Sequence, residues 1–370
     1  VLLIEILKIL LKIIYAPIKL FKTKNRIVYL SRQSNDKSLD MKLLEEAINN
    51  ECPNTEQVFR IKMIPESLPG KIAYCFSIIG DMYYLATSKV AIIDTYSITV
   101  SCLKHKKSLK VIQMWHALGA LKKFGLQSVG TKEGRNEKIS RAMCMHKNYD
   151  YILTSSSNTR RYFKDAFGYD INRVIVMPLP RVDYLTDKKR KKEVIKKVIK
   201  KYPQCKSKKN IIYVPTFRKG MEDIDKINEL INCIDYSKYN LIVKPHPLSN
   251  IKIKDERVIC DKYFSSIDMI TMGDYVITDY SAIVFEASIL EKPLFFYCYD
   301  YDKYYRRRNF YINYKEEMPG IITDDAKEIV NSIENNQFDL DRVEGFRDKY
   351  IELNEGKCTS NLVDFIFKFM

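Results

Sequence analysis

A chain of 370 residues, 46% hydrophobic and 12% aromatic, has enough apolar sequence for two domains of ordinary size, which excludes a disordered chain. Its formal net charge of +16 asks for an anionic partner: nucleic acid, an anionic membrane surface or a phosphorylated substrate. The nine cysteines stand singly with no C-x-x-C pair, which argues against a zinc site or a disulfide framework and reads as reduced thiols of a cytoplasmic protein.

The chain opens on Val1–Phe21, VLLIEILKILLKIIYAPIKLF. Glu5, Lys8, Lys12, Lys19 and Lys22 fall within one arc of about 100° on a helix, leaving a wide apolar face. The charges interrupt the run too often for a signal peptide or a spanning helix. The pattern predicts an amphipathic helix lying in a membrane interface, lysines toward anionic headgroups; the alternative is a helix packed on its own domain.

Short apolar runs then follow at intervals: Ile27–Leu30, Ala91–Asp94, Val111–Met114, Tyr151–Thr154 and Val174–Met177, with a helix near Met41–Asn49. Their alternation with helical or loop-like sequence predicts an open parallel sheet, whose ligands bind at the carboxyl ends of strands. Trp115-His116 directly follows one such run, with Gly119 and the pair Lys122-Lys123 behind it. That placement suits a base beside an anion, although a lone histidine is more often structural. Pro178–Asp183 reads as a turn with a fixed arginine, Arg181. Asp187–Lys201, the densest basic run, predicts a solvated helix at a domain boundary, ending before Pro203.

The second half repeats the pattern. Ile211–Val214 delivers Pro215-Thr216-Phe217-Arg218, and Leu241–Val243 delivers Lys244-Pro245-His246-Pro247. Tyr275–Thr278 delivers Asp279-Tyr280-Ser281 at the start of a helix over Ala282–Leu290, a place where unpaired N–H groups and the helix dipole attract phosphate. A further strand covers Leu294–Tyr299. Three polar strand ends, with His116 in the first half, suggest a pyrophosphate site in a cleft between two α/β domains. No Walker A, G-x-G-x-x-G or H-E-x-x-H occurs, which disfavours P-loop, NAD and zincin chemistry. No aromatic-interleaved basic motif speaks for nucleic acid.

With these motifs in view, the chain resembles the CDP-glycerol glycerophosphotransferases of teichoic acid synthesis. The resemblance rests on Trp115-His116, Gly119 and Lys122; on Pro215–Arg218 and Lys244–Pro247; on Ile277–Glu286; on Lys292–Asp300; and on Arg308–Tyr311 with Pro319-Gly320. Asn309 stands where the family commonly has glycine, and Ala117, Ala120 and Leu179 also depart from its motifs.

The resemblance implies a GT-B architecture, two Rossmann-like domains facing a central cleft, on the cytoplasmic face of the bacterial membrane. It divides the chain into an interfacial helix over 1–24, an acceptor domain over 25–186 and a basic helix and linker over 187–209. A CDP-alditol-binding domain over 210–350 and a C-terminal helix over 351–370 crossing back to the first domain complete it. The implied reaction transfers glycerol phosphate from CDP-glycerol to a hydroxyl of an undecaprenyl-diphosphate-linked disaccharide, with no cofactor and no metal. The absence of an appended domain points to the primase branch. His116 is the implied base and His246 the donor to phosphoryl oxygens or leaving group. Arg218, Lys244, Tyr280 and Ser281 would hold the pyrophosphate, Glu286 the ribose or glycerol hydroxyls, and Lys122 and Arg308 further anionic groups. Asp279 would orient a histidine or the turn. A polymerase, a CDP-ribitol-using homologue, a nucleotide-sugar glycosyltransferase and a non-catalytic basic membrane scaffold are the alternatives. Homo-oligomerisation is compatible with all of them.

Overall fold

The computed structural model describes residues 1–132, 134–218, 224–246, 249 and 251–370. The chain divides into two compact units: unit 1 is Val1–Asp183 with Glu352–Met370, and unit 2 is Tyr184–Ile351. Each is an α/β unit built on one six-stranded parallel sheet.

In unit 1 the strands are β1 (Arg26–Ser31), β2 (Glu56–Ile61), β3 (Val90–Ile93), β4 (Lys110–Gln113), β5 (Tyr151–Thr154) and β6 (Val174–Val176). Their order is β2-β1-β3-β4-β5-β6, all pairs parallel. All six residues of β1 and all four of β3 are buried, as expected of strands covered on both faces. The order reverses between β1 and β3, so the crevice of this doubly wound sheet lies at their carboxyl ends.

Three helices of unit 1 matter below: α1 (Leu2–Ile18), α2 (Leu39–Glu51) and α3 (Leu68–Thr87). Ser38 caps α2 by accepting from the Met41 N–H, and Ser67 caps α3 by accepting from the Gly70 N–H. Helix α1 packs through Leu11 and Tyr15 onto Met82 and Ala86 of α3 and onto Leu103. The Tyr15 hydroxyl meets His105 Nδ1 at 2.8 Å. Lys8 is on this inward side and almost fully buried, bonded to Glu5. The opposite, apolar side faces outward, with Leu2 75%, Leu3 79% and Ile13 64% exposed. The helix is therefore inside out relative to one that serves a soluble core. Among the described residues no helix is long and apolar enough to cross a membrane.

In unit 2 the strands are β7 (Lys209–Tyr213), β8 (Tyr239–Val243), β9 (Ile259–Cys260), β10 (Tyr275–Thr278), β11 (Leu294–Tyr297) and β12 (Gly320–Thr323). Their order is β12-β11-β10-β7-β8-β9. One face packs Ile211, Leu241, Phe295 and Tyr297 against Ile227, Leu230, Ile329 and Ile333 from two helices. The basic run forms the helix Lys188–Lys201, capped by Asp187 and buried only at Val194 and Val198. All nine cysteines are free thiols.

The last helix, Cys358–Phe367, belongs to unit 1 and lies against α2. Asp183 holds its first turn, accepting from the N–H groups of Cys358 (3.0 Å) and Thr359 (2.7 Å) and from the Thr359 hydroxyl (2.7 Å).

Candidate functional site

In unit 1 the polar residues gather at the carboxyl edge of the sheet. Gln113 closes β4, and its side-chain oxygen accepts from the Trp115 N–H at 2.9 Å. Trp115 adopts a left-handed backbone, φ +60°, unusual for a bulky residue and strained. That conformation turns the chain sharply at the strand end. The indole is held by stacking on Phe124 (4.7 Å) and by the edge of Phe167 (5.4 Å).

His116 follows at once. Its Nδ1 lies 3.0 Å from the Asp94 carbonyl oxygen and 2.9 Å from the Gln33 side-chain amide. A carbonyl only accepts, so the Asp94 contact calls for the proton on Nδ1; the Gln33 side chain, whose Nε2 faces the ring, pairs with that tautomer only when its amide is turned over. The lone pair then sits on Nε2. Burial and the nearby Arg181 charge lower the imidazole pKa to about 4, against the opposing effect of the Asp94 bond, so the ring is neutral at pH 7. The ring borders a cavity of about 260 Å³ with Trp115, Thr95, Tyr96, Arg135 and His146.

Arg181 is fixed, as the turn around it predicts. Its Nε donates to Asp40 at 2.8 Å, its backbone N–H donates to the same carboxylate at 2.9 Å, and its Nη2 reaches the His116 carbonyl at 3.3 Å. Both partners are largely buried. Asp94, buried at the end of β3, has neither carboxylate oxygen in a well-formed hydrogen bond, and burial pushes its pKa up to about 6. Lys122 is half-buried in the loop beyond His116.

In unit 2 four adjacent strands, β11, β10, β7 and β8, end in polar residues. Asp279 accepts from the Thr216 N–H (2.9 Å) and hydroxyl (2.5 Å) and pairs with Arg218 at 2.8 Å. Arg218 also makes a bidentate pair with Asp300, Nε to Oδ2 at 2.8 Å and Nη2 to Oδ1 at 2.9 Å. Its Nη1 donates to the Thr216 carbonyl at 3.1 Å, and the guanidinium lies 4.9 Å from the centre of the Tyr299 ring. The Tyr280 hydroxyl donates to Asp300 at 3.0 Å, and the ring, fully buried, stacks 4.0 Å from Tyr304. Tyr314 closes the cluster, its hydroxyl donating to the Asp279 carbonyl at 2.7 Å.

Arg218, Lys244 and the Tyr280 hydroxyl, expected at the pyrophosphate, are each engaged inside the protein in this structure. Arg218 is spent on two carboxylates, and Lys244 on Asp261 (2.8 Å), which also accepts from Tyr202 (2.8 Å). The sequence patterns saw the strand ends but not these partners, because Arg218 meets Asp300 across 82 residues. Asp279 ties the end of β10 to the segment after β7 through its two bonds from Thr216. On the accessible side, His246 is exposed with its ring 5.1 Å from that of Phe217, and Ser281 is half-buried, its hydroxyl 3.3 Å from the Ile283 N–H. Glu286 is buried on the helix Ile283–Ile289, and Arg308 is half-buried at the end of the helix Tyr301–Arg308. Pro247 lies outside the described residues. Asn309, where glycine is usual in the resembled family, has φ +55° and ψ 155°, a conformation that glycine adopts without strain. Among the described residues no group of three or more His, Cys, Asp or Glu is arranged to hold a metal ion.

Gln33, Arg32 and Asp94 escaped the sequence patterns as candidates. The signal was there: Ser31-Arg32-Gln33 follows the apolar run Ile27–Leu30 as the other polar clusters follow theirs.

Known proteins agree with this architecture. The family described as CDP-Glycerol:Poly(glycerophosphate) glycerophosphotransferase matches residues 14–368. The teichoic acid ribitol-phosphate primase of Bacillus spizizenii (strain ATCC 23059 / NRRL B-14472 / W23) is 28% identical over 94% of this chain and 92% of its own length. The teichoic acid glycerol-phosphate primase of Bacillus subtilis (strain 168) is 33% identical over 82% of this chain and 81% of its own length. A variant of the wall teichoic acid polymerase TagF superposes with a TM-score of 0.78 at 20% identity, covering 98% of this chain and 95% of that one, which makes the fold GT-B-like. The same TagF variant has also been solved after soaking with CDPG. With nearly its whole length matched, the chain belongs to the CDP-glycerol:poly(glycerophosphate) glycerophosphotransferase family, the phosphotransferases of teichoic acid synthesis.

Proposed function

We propose that this protein transfers glycerol phosphate from CDP-glycerol to a hydroxyl of an undecaprenyl-diphosphate-linked disaccharide, releasing CMP. The observation that carries the reading is His116: a neutral imidazole with Nε2 unprotonated, beside a cavity at the carboxyl edge of the unit 1 sheet. The acceptor hydroxyl oxygen attacks the glycerol-bearing phosphorus, the bond from that phosphorus to the CMP oxygen breaks, and CMP leaves with the electron pair. The hydroxyl proton passes to His116 Nε2. Such transfers depend on alignment and on charge stabilisation more than on covalent intermediates.

Unit 2 binds the CDP-alditol. His246 donates to the phosphoryl oxygens or the leaving group, and Ser281 with the following backbone N–H groups holds the pyrophosphate. Glu286 takes alditol or ribose hydroxyls, and Lys122 and Arg308 supply further positive charge. Arg218, Asp279, Asp300 and Tyr280 act behind this surface as its brace. The outward apolar side of α1 seats the protein on the cytoplasmic face of the membrane. The glycerol-phosphate primase, at 33% identity, supports glycerol as the alditol and a single addition as the outcome.

The test is CMP release from CDP-glycerol and CDP-ribitol with a lipid-linked disaccharide acceptor. Acceptor-dependent release with CDP-glycerol, one unit added, and loss in His116→Ala and His246→Ala is the expected result. Many units added would make the protein a polymerase, and release from CDP-ribitol alone would change the donor. Folded protein that neither binds a CDP-alditol nor releases CMP would refute the reading.

A further inference from the structure

A second cavity of about 190 Å³ lies in unit 1, at the point where the sheet order reverses. It is walled by the ends of β1, β2 and β3 and by Tyr74, Ser77 and Asp81 of α3. Arg32, Arg60 and Lys62 line it against the single carboxylate of Asp81, leaving two net positive charges. Arg60 is committed: its Nε donates to Asp81 at 2.7 Å and its Nη2 to the Ser77 carbonyl at 2.7 Å. Arg32 is only partly committed. It forms no ion pair among the described residues; its guanidinium bonds the Tyr74 hydroxyl and lies 5.2 Å from the centre of the Tyr96 ring, while its Nε, closed off from solvent, has no hydrogen-bond partner. A buried donor without a partner is costly and asks for an explanation, and an anionic ligand supplies one. Lys62 is exposed beside it.

The position of this cavity gives the anion an identity. Thr95 lines both this cavity and the one bordered by His116. Tyr96 lies between Arg32 and Arg135, one from each cavity. The next residue after Arg32, Gln33, touches His116. On the far side, α3 is one helix thick: its inner residues face the cavity, while Leu68, Ile72 and Phe76 on the same helix are 72%, 53% and 69% exposed. A hydroxyl at His116, a phosphate a short distance away and an apolar exit together describe an amphiphilic phosphorylated molecule.

We propose that this cavity binds the phosphate group of the acceptor, with Arg32 as its specificity-determining residue, while the acceptor hydroxyl lies at His116. The inference rests on the transferase reading above and adds to it the acceptor's anionic subsite. The phosphate comes from the diphosphate of a lipid carrier or from a phosphodiester of a growing polyol-phosphate chain.

Two measurements on the full chain test it, with Arg32→Gln and the charge-keeping Arg32→Lys. In the first, transfer from CDP-glycerol is compared for a disaccharide on a prenyl diphosphate and for the same disaccharide on an uncharged alkyl chain. Wild type should prefer the diphosphate acceptor. Arg32→Gln should raise the KM for that acceptor about tenfold and abolish the preference, with the KM for CDP-glycerol unchanged and Arg32→Lys between the two. A preference kept by Arg32→Gln overturns the proposal. The second measurement needs no turnover, so it stands even if the transferase reading fails. Trp115 is the only tryptophan and lines the neighbouring cavity. Its fluorescence is followed during titration with farnesyl diphosphate, or with an oligo(glycerol phosphate), in the presence of saturating CMP. A saturable change that Arg32→Gln weakens supports the site, and the probe that produces it identifies the source of the phosphate. No change with either probe, or an equal change in wild type and Arg32→Gln, overturns it.

Discussion

Replacing Arg218 with methionine separates a brace from a ligand contact. The guanidinium is 7% exposed and faces two carboxylates: Asp279, fully buried, and Asp300, bound through both oxygens. Removing one partner of a buried pair leaves charge uncompensated and costs about 3–5 kcal/mol. For a domain the size of unit 2, each kcal/mol lowers Tm by roughly 2–4 °C. The variant should therefore melt about 6–20 °C below wild type in a thermal scan. Adding Asp279→Asn should recover part of the loss, because one orphaned charge disappears. Burial raises the Asp300 pKa, but Arg218 more than offsets it and holds the carboxyl below its usual range. That stabilisation is present at neutral pH and is lost as pH falls through the folded pKa, so the gap between wild type and variant should narrow in acid. A variant with Tm within about 2 °C of wild type and only a raised KM for the CDP-alditol would refute the argument and return Arg218 to the pyrophosphate.

Three further outcomes are expected. The base form of His116 is the neutral ring, present above its pKa of about 4. The acid limb of kcat/KM should thus fall near pH 4; a limb at the ordinary imidazole value would show that the ring is solvated during turnover. Asp94, with its pKa raised from 3.8 to about 6, makes the protein less stable as pH rises through that interval. Asp94→Asn should remove this pH dependence and gain up to ~3 kcal/mol at pH 8 in urea unfolding; equal pH profiles for the two proteins would contradict it. Asn309→Gly should stabilise by about 1 kcal/mol or less by relieving φ +55°. The bond from the Phe310 N–H to Asn309 Oδ1 (3.0 Å) is lost at the same time. A destabilised glycine variant would mean that bond outweighs the strain.

Position in the sheet separates most of the strands the sequence patterns found from those they missed. β1, β3, β4, β5, β7, β8, β10 and β11 lie inside their sheets and read as apolar runs because both faces are covered; β6, an edge strand, was found as well because Val174–Met177 is apolar throughout. β2, β9 and β12, which escaped, are edge strands: EQVFRI is half exposed, Ile259–Cys260 has two residues, and GIIT begins on a glycine. Helix α3 was hidden for another reason. Pro69, Gly70 and Gly80 look like loop punctuation, and its apolar residues surround the helix without forming a stripe; only the cap Ser67 followed by Pro69 marked its start. At the site, the residue types at strand ends were legible, because an apolar run stopping at a polar cluster is local information. Their states were not. That Arg218 and Lys244 are spent on Asp300 and Asp261, or that Asp94 is buried without a well-formed bond, depends on partners far along the chain.

The clasp at Asp183 has a consequence for how the chain is made. Unit 1 begins to emerge before unit 2 during synthesis and is completed after it, because Glu352–Met370 belongs to it. The Glu352 N–H donates to the Ser155 carbonyl at 2.8 Å, and the Cys358–Phe367 helix starts on Asp183, so both contacts wait until unit 2 has left the ribosome. Unit 2 is continuous in sequence and can close on its own as it appears. Meanwhile the apolar side of α1 is already exposed on an unfinished unit, and the long separations across the clasp make its closure slow. A nascent chain halted at residue 351 would hold unit 2 entire and unit 1 still open along α2, the stretch where chaperones or a membrane surface have time to act.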